Sequence, residues 1–361
     1  MLRGFDHDGV ASGERGSDAE GEQQQRRVPR NEDGDDADRL AKGVVEDGGL
    51  FEGNRRALDL VGQAGIEVEV AGHGLALGGH LPDELAVVAG LDLAKVVGIG
   101  GDEVGDRRAL DHRAVHPLVL AGIDVALFVF RRFDPTLTTR RLLADGSELK
   151  YRGAGCGEGG EVVAEVQGKV ASILKAERTA INFLQHLSGV ATETRMYVEA
   201  LGGLEVQLLD TRKTIPGHRL LEKYAVRVGG GGNHRMGLGD GILVKDNHIQ
   251  IMERAGAGLR KVVEEVRANA PQGFEVEVEV EGLQQVKDAL EAGADILLLD
   301  NMSLDEMAEA VVMARGRALT EASGGISLGN VRVVAETGVD MISVGALTHS
   351  ARALDFSLEI A

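Results

Sequence analysis

The sequence predicts an α/β protein whose carboxyl-terminal part is built from parallel βαβ units. Three observations predict this. Beyond about residue 200, short apolar runs alternate with stretches of helical length. Strands spaced by helices of that length pair in parallel. Several of the runs end in a charged residue or in glycines, and an α/β barrel does its chemistry at the carboxyl ends of its strands. An open doubly wound sheet fits the same periodicity.

The elements follow in order. Residues 118–130 are almost continuously apolar, interrupted only by Gly122 and Asp124, and fit a buried strand or a buried helix equally. A strand is expected at 162–166. A helix is expected at 171–188, because Ile173, Ala180, Leu184 and Leu187 fall on one stripe, with Arg178, Asn182 and Gln185 opposite. Further strands are expected at 205–210, 242–245, 275–281, 295–300, 318–323 and 341–347. Helices are expected between them at 254–268, 283–292, 304–315 and 328–337.

Upstream, the character of the chain differs. Residues 1–48 are dominated by Gly, Asp, Glu, Gln and Arg, with an acidic run at 31–36. Such a segment buries too little apolar surface to offset its chain entropy and is expected to be disordered. In 50–115, apolar pieces at 66–70 and 85–91 are broken by glycines and aspartates, and no motif stands out.

Composition narrows the function. The chain has 361 residues and a formal charge of −19, which argues against nucleic acid, since that affinity rests on basic surface. Trp is absent and aromatics are 3%, so a base-stacking platform is not expected. No apolar run reaches the length of a membrane span. The amino terminus lacks a secretory core, and the single cysteine, Cys156, cannot form an internal disulfide. Both fit a reducing cytoplasm.

Three clusters carry chemistry. The first begins at Asp210-Thr211-Arg212-Lys213-Thr214, directly after a strand, and continues through His234-Arg235 and Lys245. Between residues 210 and 250, seven Lys/Arg stand against four Asp/Glu in this acidic chain. These cations are spaced over two strand ends and the loop Gly229-Gly230-Gly231-Gly232, an arrangement that aims them at one anion. The second cluster is Glu275-Val276-Glu277-Val278-Glu279-Val280-Glu281. Parallel barrel strands normally read as continuous apolar runs. Strict alternation means either an edge strand with a wet face or carboxylates pointing into a barrel, where they need cations. Asp300, at another strand end, adds a carboxylate or a helix cap. The third cluster is a pair of small-residue loops, Ala322-Ser323-Gly324-Gly325-Ile326 and Ser343-Val344-Gly345-Ala346. Barrels commonly hold phosphate on backbone N–H groups at their last two strand ends. His349 follows as a phosphate neighbour or a polar residue at a helix start. Together these clusters predict a phosphate-bearing substrate and an anionic co-substrate.

The segments ERTAINFLQHLSG (from Glu177), DTRKT (from Asp210), GGGNHR (from Gly230), KDNH (from Lys245), EVEV (from Glu275), Asp300-Asn301, EASGG (from Glu321) and GALTHS (from Gly345) occur in this order. In that order they resemble the motifs of the quinolinate phosphoribosyltransferase family, over about 118–361. The resemblance implies an incomplete parallel α/β barrel at 191–361, preceded by a smaller α/β sandwich domain at 117–190. It also implies a homodimer in which one subunit's sandwich covers its partner's barrel mouth. Residue by residue, it implies that Arg178, Thr211, Arg212, His234, Arg235 and Lys245 bind quinolinate. Lys213 would lie between the two substrates, and Glu279 and Asp300 would face the ribose and the Mg²⁺ carried by phosphoribosyl pyrophosphate. Ser323, Gly324, Gly325, Gly345 and His349 would hold the 5-phosphate. The dense cation set favours a dicarboxylate over the single carboxylate of nicotinate. Similar-looking proteins of molybdenum-transport operons and a non-catalytic phosphate-ligand sensor share parts of the pattern. Residues 1–116 depart from it: the family's usual opening helix and acidic segment have no counterpart there. An anomalous extension is therefore expected, from a misassigned start or an out-of-frame stretch.

Overall fold

The computed structural model describes residues 93–98, 118–149 and 161–360. Apart from 93–98, the expectations for residues 1–116 lie outside the described residues, as does Cys156. In chain order the elements are β1 (Leu93–Gly98), β2 (Leu118–Val119), α1 (Ile123–Phe133), β3 (Thr138–Arg141), β4 (Glu148–Leu149), β5 (Glu161–Gln167) and α2 (Val170–Ala200). Then come β6 (Gln207–Leu209), α3 (Arg219–Gly229), β7 (Ile242–Val244), α4 (Asp246–Arg254), α5 (Leu259–Asn269), β8 (Val276–Val280) and α6 (Leu283–Glu291). The chain closes with β9 (Ile296–Asp300), α7 (Leu304–Ala314), β10 (Leu319–Ser323), α8 (Val331–Ala335), β11 (Met341–Ser343), α9 (Ala346–His349) and β12 (Phe356–Ile360).

Six strands form one sheet in the order β6-β11-β10-β9-β8-β7, and every neighbouring pair is parallel. The first two strands in sequence sit at opposite ends of the row. The ring is therefore an α/β barrel left open between β6 and β7. A second sheet runs β12-β1-β5-β3 with antiparallel pairing throughout, and β2 pairs with β4. Two findings bear on the expected boundaries. Residues 93–98, inside the stretch expected to be irregular, form the central strand β1. The terminal strand β12, expected with the barrel, pairs with β1 and buries Phe356 in the other core.

The apolar run at 118–130 divides at a glycine. Gly122 takes a left-handed φ of 87°, and a methyl there would meet Leu187 Cδ1 at 2.5 Å. Asp145 accepts from the N–H groups of Gly122 and Ile123 at 2.9 and 3.0 Å, and helix α1 starts there. The helix expected at 254–268 starts only at Leu259, because Gly256 adopts φ 84° between α5 and the unforeseen helix α4. The strand expected at 341–347 stops at Ser343, since His349 N–H already bonds Gly345 O in a helical turn.

Two apolar cores result. Val276, Val278 and Val280 of β8 pack outward with Leu297, Leu299 and the surrounding helices. Burying each such side chain contributes about 1.5–3 kcal/mol. Alternation then turns Glu277 and Glu279 into the ring. Ile123, Phe130, Val163 and Val166 make the second core. The 31-residue α2 contributes Ile173 to Leu184 to that core and Leu187 to Tyr197 to the first.

Candidate active site

The functional side chains gather at the carboxyl ends of the six parallel strands and in the loop crossing the open side of the ring. That loop is fixed by its glycines. Gly232 forms a parallel bridge with Leu209, its N–H bonding Leu208 O at 2.7 Å while its own carbonyl accepts from Asp210 N at 3.2 Å. A methyl on Gly232 would lie 2.7 Å from Gln207 Nε2 and 2.9 Å from Leu209 Cδ2, so a larger residue would have to push these side-chain ends aside to dock along β6. The docked loop delivers His234 and Arg235 to the mouth.

His234 sits over two inward carboxylates. Its Nε2 is 3.3 Å from Glu277 and 3.6 Å from Glu321, and both glutamates are almost fully buried. Its Nδ1 accepts from Arg235 N–H at 2.7 Å. Burial alone would lower the imidazole pKa. The hydrogen bond with Glu277 and the charges of Glu321 and Glu277 outweigh it and raise the pKa. Glu321 is pushed up to about 7, first by burial and then by the charge of Glu277, with His234 opposing.

Above these carboxylates stand the cations of the mouth. Arg212 Nε and Arg235 Nε are buried and have no hydrogen-bond partner. Burial, followed by the neighbouring charge of Arg212, depresses the Arg235 guanidinium despite Glu277 and Glu321. A buried N–H without a partner is costly unless a ligand completes it. Lys245 ends β7 and reaches Glu279 Oε2 at 3.1 Å. Thr211 serves the turn itself, its Oγ1 accepting from Lys213 N–H at 3.0 Å.

The small-residue loops meet the same mouth. Ser323 is the register partner of Asp300, and its Oγ lies 3.2 Å from Ser343 Oγ. Gly324 and Gly325 have φ of 84° and 62°, and a methyl on Gly324 would overlap Asn301 Oδ1 at 2.4 Å. Asn301, itself at φ 53°, donates from Nδ2 to Asp300 Oδ2 at 2.9 Å. A methyl on Gly345 would lie 3.0 Å from Lys213 Cδ and 3.3 Å from His349 Nε2, so these three residues share one spot. Thr348 Oγ1 donates to Lys213 O at 2.7 Å and ties that loop to the turn after β11.

Twelve of the fourteen residues singled out from sequence thus lie at strand ends or in adjoining loops, and His349 closes the short helix α9 beside them. Arg178 lies apart. It lies on α2 with its side chain 70% exposed, beside Glu177 at 3.9 Å. Two residues bearing on the site escaped the sequence argument as functional groups, Lys223 and Glu321, while Asp210 and Glu277 stood in its clusters without a role of their own. The alternation of β8 pointed at Glu277, and Glu321 occupies an inward strand position one residue before the phosphate-type loop. Nothing in the sequence marks Lys223, a helical lysine like any other.

A parallel, incomplete barrel with a basic mouth, carboxylates beneath it and two glycine loops defines an enzyme that handles phosphorylated and carboxylated substrates. The model for the quinolinate phosphoribosyl transferase C-terminal domain matches residues 190–359, and that for the N-terminal domain matches 107–188. This chain belongs to the quinolinate phosphoribosyltransferase family. It is 40% identical over 245 residues to a probable nicotinate-nucleotide pyrophosphorylase [carboxylating] of Synechocystis, covering 67% of this chain and 79% of that protein. It is 44% identical over 250 residues to the Mycobacterium leprae nicotinate-nucleotide pyrophosphorylase [carboxylating], covering 68% and 83%. Among solved structures, the Francisella tularensis nicotinate-nucleotide pyrophosphorylase superposes with TM-score 0.62 at 37% identity, over 77% of this chain and 89% of that one. Among the described residues, no helix is long and apolar enough to cross a membrane.

Proposed function

We propose that the chain transfers phosphoribosyl from phosphoribosyl pyrophosphate to quinolinate with loss of CO₂, yielding nicotinate mononucleotide and pyrophosphate for pyridine nucleotide biosynthesis. The observation that carries this is the pair of buried, unpartnered Nε–H groups, one on Arg212 and one on Arg235, beside His234. Two adjacent carboxylates on one ring would complete them. Lys245 adds charge at the rim, and Arg178 reaches a site only from a second subunit, which makes a homodimer the working unit.

Binding comes first. Arg212, Arg235 and His234 hold the carboxylates so that the ring nitrogen faces the ribose. Ser323, Gly324, Gly325, Gly345 and His349 hold the 5-phosphate by N–H groups and a side-chain donor. The C1–O bond to pyrophosphate breaks, its electrons leave with pyrophosphate, and the ring nitrogen's lone pair forms the new C1–N bond. Glu279 and Asp300 stabilise the positive charge that develops at C1. Lys213, between the substrates, offsets negative charge and aligns them. The carboxylate next to the now cationic nitrogen then leaves as CO₂, its bonding electrons stay on the ring carbon, and a proton is taken up there. The hard oxygen donors of Glu279 and Asp300 suit Mg²⁺. Two carboxylates cannot fill its coordination, so pyrophosphate and water would supply the rest. When bound, Mg²⁺ offsets the charge of the departing pyrophosphate.

The test is incubation of the full chain with quinolinate, phosphoribosyl pyrophosphate and Mg²⁺, assaying nicotinate mononucleotide and CO₂, with nicotinate as the parallel substrate. Product from quinolinate alone is expected. Product from nicotinate alone, or none from either, would overturn the assignment.

A further inference from the structure

Helix α3 crosses the open side of the barrel, and its first two turns carry Arg219 and Lys223, four residues apart on one face. Neither belongs to the strand-end cluster, yet both reach the two loops that carry it. Lys223 is 1% exposed and Asp210 fully buried, and the two form an ion pair. Lys223 Nζ also donates to His234 O at 3.1 Å. Asp210 accepts from His234 N–H at 2.9 Å and from Asn233 Nδ2 at 2.6 Å. Asn233 Nδ2 in turn reaches Lys223 O at 2.9 Å. His234 is therefore gripped through both its N–H and its C=O. One turn earlier, Arg219 donates to Thr214 Oγ1 at 3.1 Å, to Arg212 O at 3.2 Å and to Met236 O at 3.1 Å.

We propose that Arg219 and the Lys223–Asp210 pair are positioning residues that set the separation and aim of Arg212, His234 and Arg235, and so give the site its selectivity for two adjacent carboxylates. Stability alone does not account for them. A buried ion pair is often no better than an apolar pair of the same volume, whereas its fixed geometry can specify one arrangement. Arg219 contacts both loops, 212–214 at one end and Met236 at the other. Lys223 and Asp210 do the same for β6 and His234. The cations therefore cannot drift relative to one another without breaking this network. Burial disfavours the charged form of both Asp210 and Lys223, and mutual pairing with further hydrogen bonds opposes it only in part. The pair persists because every polar atom it presents is satisfied.

This inference rests on the proposal that His234 and Arg235 hold quinolinate. Two variants test it: Arg219→Met, and the double replacement Asp210→Asn/Lys223→Met, which removes both buried charges together. Each is expected to raise the quinolinate KM about tenfold or more, because a displacement of about 1 Å at such contacts costs that much or more. The KM for phosphoribosyl pyrophosphate and kcat at saturating quinolinate should stay within about threefold. Quinolinate KM within about twofold of the parent in both variants would refute the proposal, as would a uniform loss in kcat and both KM values alongside a lowered Tm. If the double variant does not fold, Arg219→Met alone decides. His234→Ala separates the two claims. If it leaves the quinolinate KM unchanged, the site assignment itself fails. If it raises KM while Arg219→Met does not, only the positioning role fails.

Discussion

Gly324→Ala strikes two parts of the site with one methyl group. Gly324 has φ 84°, where an L side chain costs about 1–2 kcal/mol. The added Cβ would sit 2.4 Å from Asn301 Oδ1 and 2.5 Å from Asn301 Cγ. Such overlap costs a further 1–3 kcal/mol, roughly, when the neighbour cannot yield. Asn301 yields poorly, because its own φ is 53°, its N–H bonds Ser323 O at 3.0 Å and its side chain bonds Asp300. The methyl group therefore displaces either the loop proposed to hold phosphate or the carboxylate proposed to face the ribose. A combined cost of about 2–5 kcal/mol corresponds to a loss of roughly 30- to 5,000-fold in kcat/KM for phosphoribosyl pyrophosphate. Initial rates over a grid of both substrates would measure it. The matched control is Gly146→Ala: its φ is 87°, but nothing lies within 4 Å of the new methyl. It should lose about 1–2 kcal/mol of stability with unchanged kinetics. Parent-like kinetics in Gly324→Ala, or equal kinetic damage in Gly146→Ala, would refute the argument.

Three further outcomes are expected. Arg235→Met should raise the quinolinate KM by about two orders of magnitude, and Arg235→Lys should recover little of it, because a point charge cannot reproduce a bidentate contact; full recovery in steady-state assays would contradict this. Glu321, raised from an ordinary 4.5 to about 7, is protonated in the fold where the unfolded chain is ionised. Its stabilising contribution is complete below the unfolded pKa and is lost as pH rises through about 7, where the site also gains a negative charge. The quinolinate KM should therefore climb several-fold, roughly, across neutrality, and Glu321→Gln should flatten both this rise and the matching fall in Tm. Gly189→Ala would place a methyl 2.2 Å from Arg352 O, in backbone that cannot swing aside. Thermal melts should show a loss of about 2 kcal/mol or more with quinolinate KM little changed; an unaltered Tm would mean that the helix shifts freely.

The sequence carried the periodic part of the fold. Six parallel strands were legible because each apolar run is short and bounded, and because α6 and α7 present clear stripes. Helix α3 was not legible because its buried stripe of Leu221, Ala225 and Val226 is short and stands among Arg219, Glu222, Lys223 and Arg227. Closure of the barrel was not legible, since the pairing of β6 with β11 joins strands more than a hundred residues apart. Within the site, strand-end residues were recoverable because chemistry and position coincide there. Lys223 and Asp210 were not recoverable as a pair: their partnership depends on a helix turning one lysine inward, and burial of that kind leaves no local signature.

Helix α2 carries a mechanical consequence. Its 31 residues extend about 46 Å. One half is cemented into the interior between the sheets and α1, the other into the shell around the ring, with the crossover near Leu184 and Leu187. A beam shared by two rooms cannot be removed from either alone. Parting the interiors would snap a continuous ladder of N–H···O=C bonds midway and orphan the groups at the break. The two lobes should therefore melt as one, with the amides around 184–191 the last in the molecule to exchange with solvent.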